Sequence, residues 1–159
     1  MSPINLYLDV DGVFLRRTGR LEFRDRVEFE LAPHAIEFLG WCAEHFQCFW
    51  LTSRSQNGSY EGIERAFRHA IPTTRLPDAL IEAIRPAPWG KAKIEGIDLS
   101  RDFRWIDDNP DQASLDGLNR AGLSHCLIEA STDRQRDDLE RVMGVLQEVA
   151  CFRGIASGC

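Results

Sequence analysis

Short apolar runs alternate along the chain with segments in which apolar residues recur at helical spacing. Four runs predict buried strands, at residues 4–8, 46–51, 103–106 and 124–128. Longer segments with spacings of three and four predict helices, at residues 33–43, 60–70, 112–121 and 132–149. Strands that alternate with helices favour an α/β fold of the three-layer, Rossmann-like kind with a mostly parallel central sheet.

Residues 13–31 show a different pattern, because apolar and polar residues alternate at a period of two. Thr18-Gly19-Arg20 is a turn signal within this segment, which therefore predicts a small β-hairpin flap. Five arginines lie here: Arg16, Arg17, Arg20, Arg24 and Arg26. They can meet a phosphodiester chain, or they can simply keep an exposed hairpin soluble.

Three segments carry more specific or more open predictions. The helix at 33–43 is expected to turn Ile36, Leu39, Gly40 and Ala43 inward. Residues 71–88 contain four prolines and stay unassigned, with 79–84 either a short strand or a helical turn. A short helix is expected at 93–97.

Composition limits the class of protein. The 159 residues, 43% hydrophobic and 28% charged, fit one globular domain at 1–150 followed by a tail at 151–159. No apolar run has the length of a membrane span, and no signal-peptide layout begins the chain, so we expect a cytoplasmic protein without membrane partners. The net charge of −6 argues against bulk attraction to nucleic acid but permits a local basic groove.

The five cysteines lack the Cys-x-x-Cys spacing of a zinc site. We predict that all five are reduced thiols. Cys42, Cys48 and Cys126 lie in apolar stretches and are expected in the core.

Candidate chemistry begins at the end of the first predicted strand. Asp9 and Asp11 follow it, separated by Val10, and Gly12 marks a turn. Carboxylates this close repel each other, and a divalent cation such as Mg²⁺ allows both to stay ionised. An Asp-x-Asp-Gly tetrapeptide taken alone is often only a turn whose side chains bind nearby amides.

Further polar residues follow the next strands in a fixed order. Thr52, Ser53 and Arg54 come after the second run, where a hydroxyl can bind a phosphoryl oxygen or can simply cap a turn. Lys91 and Lys93 are the only lysines, and a compact ammonium suits a phosphoryl group; we favour Lys93 and interpret Lys91 as solvated.

The third run ends in Asp107 and Asp108. Acids crowded at a strand end are costly unless they are paired or bind a metal, which is a reason to join them to Asp9. Asp111 is interpreted as the start of the next helix.

This ordered set, Asp-Val-Asp-Gly, Thr, Lys and Asp-Asp, resembles the haloacid dehalogenase-like phosphohydrolases over residues 4–128. The resemblance implies a Mg²⁺-dependent phosphatase with Asp9 as nucleophile and Asp11 as general acid and base. It further implies phosphate binding by Thr52, Ser53, Arg54 and Lys93. The metal site would be formed by Asp9, the backbone carbonyl of Asp11, and Asp108, with Asp107 beside it.

The spacing between motifs leaves no room for a separate cap domain, and in this family an open site goes with bulky substrates. The layout is also similar to the phosphatase domains of polynucleotide 3′-end-healing and RNA-repair enzymes, which implies a phosphorylated nucleic-acid end as substrate. Two alternatives stay open: a phosphatase of small phosphoesters, and a non-catalytic binding or regulatory module of the same fold.

Overall fold

The computed structural model describes residues 3–22, 26–70 and 76–154. Within these ranges lie seven strands: β1 (Asn5–Leu8), β2 (Leu15–Glu22), β3 (Arg26–Leu31), β4 (Gln47–Trp50), β5 (Arg85–Pro86), β6 (Phe103–Asp107) and β7 (Leu127–Glu129). Five of them form a parallel sheet in the order β5-β4-β1-β6-β7. The prediction of an α/β fold around a mostly parallel sheet is confirmed.

Helices pack on both faces of this sheet. They are α1 (Ala35–His45), α2 (Glu61–Arg68), α3 (Asp78–Glu82), α4 (Gln112–Ala121) and α5 (Asp138–Phe152). Side chains of β1 alternate between the faces, so that Leu6 and Leu8 join the core shared with α1 and α5, whereas Tyr7 joins the core shared with α4. None of these helices is long and apolar enough to cross a membrane.

The flap is a two-stranded antiparallel hairpin, as predicted, but its turn is not where the sequence signal places it. Thr18 to Arg20 lie inside β2, where the pairing register with β3 shifts between Arg17 and Leu21. Gly19 has a φ of 79°, which accommodates this irregularity without a turn. Residues 23–25, which include Arg24, connect the two strands and lie outside the described residues. The side chain of Arg26 is not described either.

Several helix predictions need correction. The buried face of α1 consists of Ala35, Phe38, Leu39 and Cys42. Gly40 and Ala43, which were predicted to face inward, are not part of it. The segment after Ala92 is a 3₁₀ turn, Lys93–Gly96, rather than an α-helix. The last helix begins at Asp138, six residues later than predicted, and takes in the first two residues of the expected tail.

The other uncertain segments are also resolved where the structure describes them. Residues 79–82 belong to α3, which supports the helical alternative, and residues 83 and 84 follow the end of that helix. Residues 71–75 and 155–159 lie outside the described ranges.

Three of the cysteines are free and buried, as expected: Cys42, Cys48 and Cys126. Cys151 is disulfide-bonded, so the prediction of a reduced thiol is wrong there.

Candidate active site

The first and third apolar runs become neighbouring parallel strands. Leu8 of β1 pairs with Ile106 of β6, and the Asp9 N–H donates to the Ile106 carbonyl at 3.0 Å. The carboxyl ends of these strands therefore lie side by side. In the sheet order, the connection that leaves β1 leads to β4 and the connection that leaves β6 leads to β7, in opposite directions, and open α/β sheets form their ligand crevices at such a point.

Three carboxylates meet there and define the acidic cluster: Asp9, Asp107 and Asp108. One oxygen from each lies within 4.8 Å of the others. Lys93 closes the cluster, since its Nζ lies 3.1 Å from Asp9 Oδ2 and 2.6 Å from Asp107 Oδ2. Asp107 is completely buried and Asp9 and Lys93 nearly so, which makes this an ion network shielded from water.

Burial sets the electrostatics of the cluster. Desolvation, with the negative charge of Asp107, raises the pKa of Asp9 to about 7. The same two causes raise the pKa of Asp108 above its ordinary value. Desolvation opposes the charge on Lys93, but the charges of Asp9 and Asp107 outweigh it and raise the pKa of the lysine.

The donor set fits a divalent cation. Three carboxylates and one ammonium, all ionised, leave two negative charges, which an ion such as Mg²⁺ would neutralise. Carboxylate oxygens are the ligands that Mg²⁺ prefers. Desolvation is the larger cause of both raised carboxyl pKa values and the negative charge of Asp107 the next, and a bound cation would offset that charge.

Lys93 is held from the neighbouring helix. Its N–H donates to Asp111 Oδ2 at 3.2 Å, and the next N–H, of Ile94, donates to the Ser114 hydroxyl at 2.9 Å. Asp111 caps α4, as predicted, and in addition fixes the lysine backbone. Lys91 is exposed and does not join the cluster.

Gly12 brings the loop after β1 against Asp108. Its φ is 75°, and a Cβ there would lie 2.1 Å from Asp108 Oδ2. Its carbonyl accepts from the Thr132 N–H at 2.8 Å, and the Thr132 hydroxyl lies 3.1 Å from the carbonyls of both Gly12 and Val13. Only glycine allows this approach, and Thr132 holds the loop in place.

Asp11 stands outside the acidic cluster. Arg54 Nε donates to its Oδ2 at 2.8 Å and Nη2 donates to its Oδ1 at 2.6 Å, a bidentate pair. The Arg54 guanidinium carbon also lies 5.6 Å from the ring centre of Phe29, on the flap strand β3. We call Arg54 and Asp11 the arginine pair, and Phe29 its flap contact.

Thr52 and Ser53 lie at the end of β4 in different surroundings. Thr52 is completely buried, and its side chain accepts from the Arg54 N–H at 3.3 Å. Its carbonyl accepts from Trp89 Nε1 at 3.1 Å, which ties the loop to the far side of the crevice. Ser53 is exposed.

Two flap arginines are already paired within the protein. Arg16 pairs with Glu30, and Arg17 Nη1 lies 2.5 Å from Asp133 Oδ2. Arg20 is exposed. Of the flap arginines whose side chains are described, Arg20 is therefore the best placed to meet a partner.

Sequence reasoning missed Thr132 and the pairing of Asp11 with Arg54. Thr132 contacts the Gly12 loop across 120 positions, and its surroundings in the sequence carry no motif. The proximity of Arg54 to Thr52 was visible, but its partner 43 positions away was not.

No protein-family model matches the chain, and no curated protein matches it with significance.

Proposed function

We propose that this protein is a Mg²⁺-dependent phosphatase of the haloacid dehalogenase-like kind that works through an aspartyl-phosphate intermediate. The supporting observation is the meeting of Asp9, Asp107, Asp108 and Lys93 at the carboxyl ends of β1 and β6, with Asp11 two residues beyond Asp9. A buried carboxylate beside an ammonium and a cation-binding group is suited to attack on phosphorus.

The metal would be held by the side chains of Asp9 and Asp108 and by the backbone carbonyl of Asp11. Asp107 would lie beside the metal without binding it directly, because its oxygens are already bound to Lys93 and to the Asn109 N–H. When bound, Mg²⁺ supplies charge neutralisation between the nucleophilic carboxylate and the phosphoryl group.

The chain's own residues divide the reaction into two steps. In the first, an oxygen of Asp9 forms a bond to phosphorus, the bond to the ester oxygen breaks, and Asp11 gives that oxygen its proton. In the second, Asp11 takes a proton from water, whose oxygen bonds to phosphorus as the Asp9–phosphorus bond breaks. Lys93 and the Thr52 hydroxyl hold phosphoryl oxygens in both steps.

A phosphorylated nucleic-acid end remains the proposed substrate, supported by the flap beside the site and by Arg54 and Arg20. Arg16 and Arg17 are paired within the protein, which reduces the positive charge that the flap offers to a nucleic acid. A small phosphoester as substrate is equally compatible with this pairing.

One observation favours a second candidate, a non-catalytic module of the same fold. Both oxygens of Asp11, the proposed general acid, are occupied by Arg54. A module that binds a metal or a phosphate without turnover would tolerate this arrangement permanently.

The test is a panel of phosphoesters with Mg²⁺, including p-nitrophenyl phosphate and a 3′-phosphorylated oligonucleotide. We expect Asp9→Asn to lower turnover by about 10⁴-fold or more, since the nucleophile is lost. Asp11→Asn should slow turnover by about 10²- to 10⁴-fold, the usual range for general acid–base catalysis.

Asp116→Asn, at an exposed position on α4, is the matched control and should keep full activity. Turnover that survives Asp9→Asn would reject the covalent mechanism. Mg²⁺ binding by calorimetry with no turnover across the panel would favour the non-catalytic module.

A further inference from the structure

Arg54 is fixed at its backbone but free to move at its side chain. Its N–H is bound by Thr52, and α2 packs directly on its carbonyl, since a Cβ at Gly62 would lie 2.0 Å from that oxygen. The Arg54 side chain, in contrast, is 31% exposed and the Asp11 side chain 25% exposed. A rotation of the arginine side chain therefore needs no movement of the backbone.

The resting arrangement conflicts with the role proposed for Asp11. Both carboxylate oxygens accept N–H groups of Arg54, so neither faces a leaving group. Proton transfer requires an oxygen of Asp11 within hydrogen-bond reach of the ester oxygen. Something has to draw the guanidinium away before the first step.

A second anion on the substrate can do this. A phosphate group forms the same bidentate contact with a guanidinium as a carboxylate does, and arginine is well suited to it. Phe29 borders the guanidinium with its ring, which restricts where a displaced Arg54 can go and keeps it beside the crevice.

We propose that Arg54 is a specificity switch: a second phosphate near the scissile one binds Arg54 and thereby frees Asp11. This inference rests on the proposed phosphatase function. The substrate class is then a phosphomonoester that carries a further phosphate or phosphodiester about one sugar away, as in a nucleoside bisphosphate or a phosphorylated nucleic-acid end.

The test uses steady-state kinetics with Mg²⁺ on three related compounds. Adenosine 3′-phosphate has one phosphate, adenosine 3′,5′-bisphosphate adds a second, and a 3′-phosphorylated dinucleotide adds a phosphodiester. We expect kcat/KM to rise by about tenfold or more with the second anion, the range for a charged hydrogen-bonded contact. Part of the gain should be in kcat, because binding that leaves Asp11 occupied would lower KM alone.

Arg54→Gln should bring the three compounds within about twofold of one another, chiefly because activity falls on the two that carry a second anion. Arg54→Lys should restore part of the preference. Arg65→Gln, which removes the same charge from an exposed position on α2, should match the parent. Preference for the dinucleotide alone would indicate a nucleic-acid end, and preference for both would indicate free nucleotides as well.

Two results would overturn the inference. If the parent hydrolyses adenosine 3′-phosphate and Arg54→Gln lowers all three activities equally, or leaves their ratio unchanged, Arg54 is not a switch although the phosphatase function stands. If the parent hydrolyses none of the three compounds but turns over p-nitrophenyl phosphate, the inference fails and the phosphatase function stands; if it hydrolyses none of the four, both fail.

Discussion

Asp9 and Asp11 lie two residues apart and are each paired with a cation, but in different surroundings. Asp9 shares Lys93 with Asp107 in a region that is almost completely buried. Asp11 pairs with Arg54 where both side chains keep a quarter or more of their exposure. The first pair belongs to a network that the fold encloses, whereas the second can open without disturbing its neighbours.

The difference indicates how one loop can hold a permanent charge arrangement and an adjustable one. In the acidic cluster, removing a partner leaves buried charge without compensation. At the arginine pair, both side chains reach water, which can solvate either charge when the pair opens. We therefore expect mutations in the two regions to separate into stability effects and specificity effects.

The largest expected stability effect is that of Lys93→Met, which leaves Asp9 and Asp107 buried without their ammonium. We expect a loss of about 3–5 kcal/mol in the free energy of unfolding, measured by urea titration at pH 7.5 in EDTA. Arg54→Gln should cost about 1 kcal/mol or less, because its pair is partly exposed. Equal losses in the two variants would contradict the distinction between enclosed and adjustable pairs.

Gly12→Ala tests the link between the two regions, since Gly12 follows Asp11 and touches Asp108. We expect a loss of about 2–3 kcal/mol from the left-handed backbone and from the displaced Asp108. We also expect Mg²⁺ to raise the melting temperature of the parent but not that of Gly12→Ala, measured by calorimetry.

Gly19→Ala is the matched control, because its φ is 79° but no atom lies within 4 Å of the added Cβ. It should show the backbone cost of about 1 kcal/mol and keep the full response to Mg²⁺. If Gly12→Ala also keeps that response, the close approach to Asp108 does not support a metal site.

An effect between those of the other two pairs is expected at a third pair, Asp138 with Arg141. Asp138 is buried and accepts from Arg141 Nε at 2.7 Å and from the Ser131 N–H at 2.8 Å. Burial acts against the charge, but these hydrogen bonds prevail and lower the pKa of Asp138. A carboxyl whose folded-state pKa is depressed contributes stability above its unfolded value of about 4, and loses it as pH falls through the folded value.

Asp138→Asn should therefore cost about 1–2 kcal/mol at pH 7, and the difference from the parent should shrink as the pH falls below about 4. Urea titrations across this range measure it. Asp137→Asn, at the exposed preceding position without a side-chain cap, should show no such trend. A difference that stays constant with pH would exclude the ionised carboxylate as its cause.

The sequence predicted those features that depend on local pattern. The first three apolar runs became strands of the sheet, whereas only Leu127 and Ile128 of the run at 124–128 lie in β7, because Ser124–Cys126 forms a 3₁₀ turn. The acids that follow β1 and β6 meet because adjacent parallel strands end at the same edge. The cap of α4 by Asp111 and its end at Gly122 were also confirmed, since both depend on the backbone within a few residues.

What could not be predicted depends on contacts between distant residues. The turn signal at Thr18 to Arg20 was overridden because the pairing of β2 with β3 continues beyond it. The choice between Arg54 as a phosphate ligand and as the partner of Asp11 depends on where two loops meet, which no local pattern encodes.

The contact between Thr132 and the Gly12 loop has a consequence for synthesis. Asp9 and Asp11 precede all their supports in the chain, because β1 needs β4 and β6 on its two sides and the loop after β1 needs Thr132, 120 positions beyond Gly12. Contacts of such sequence separation form late. A nascent chain therefore carries the Asp9 and Asp11 carboxylates unassembled until the segment with Thr132 has left the ribosome.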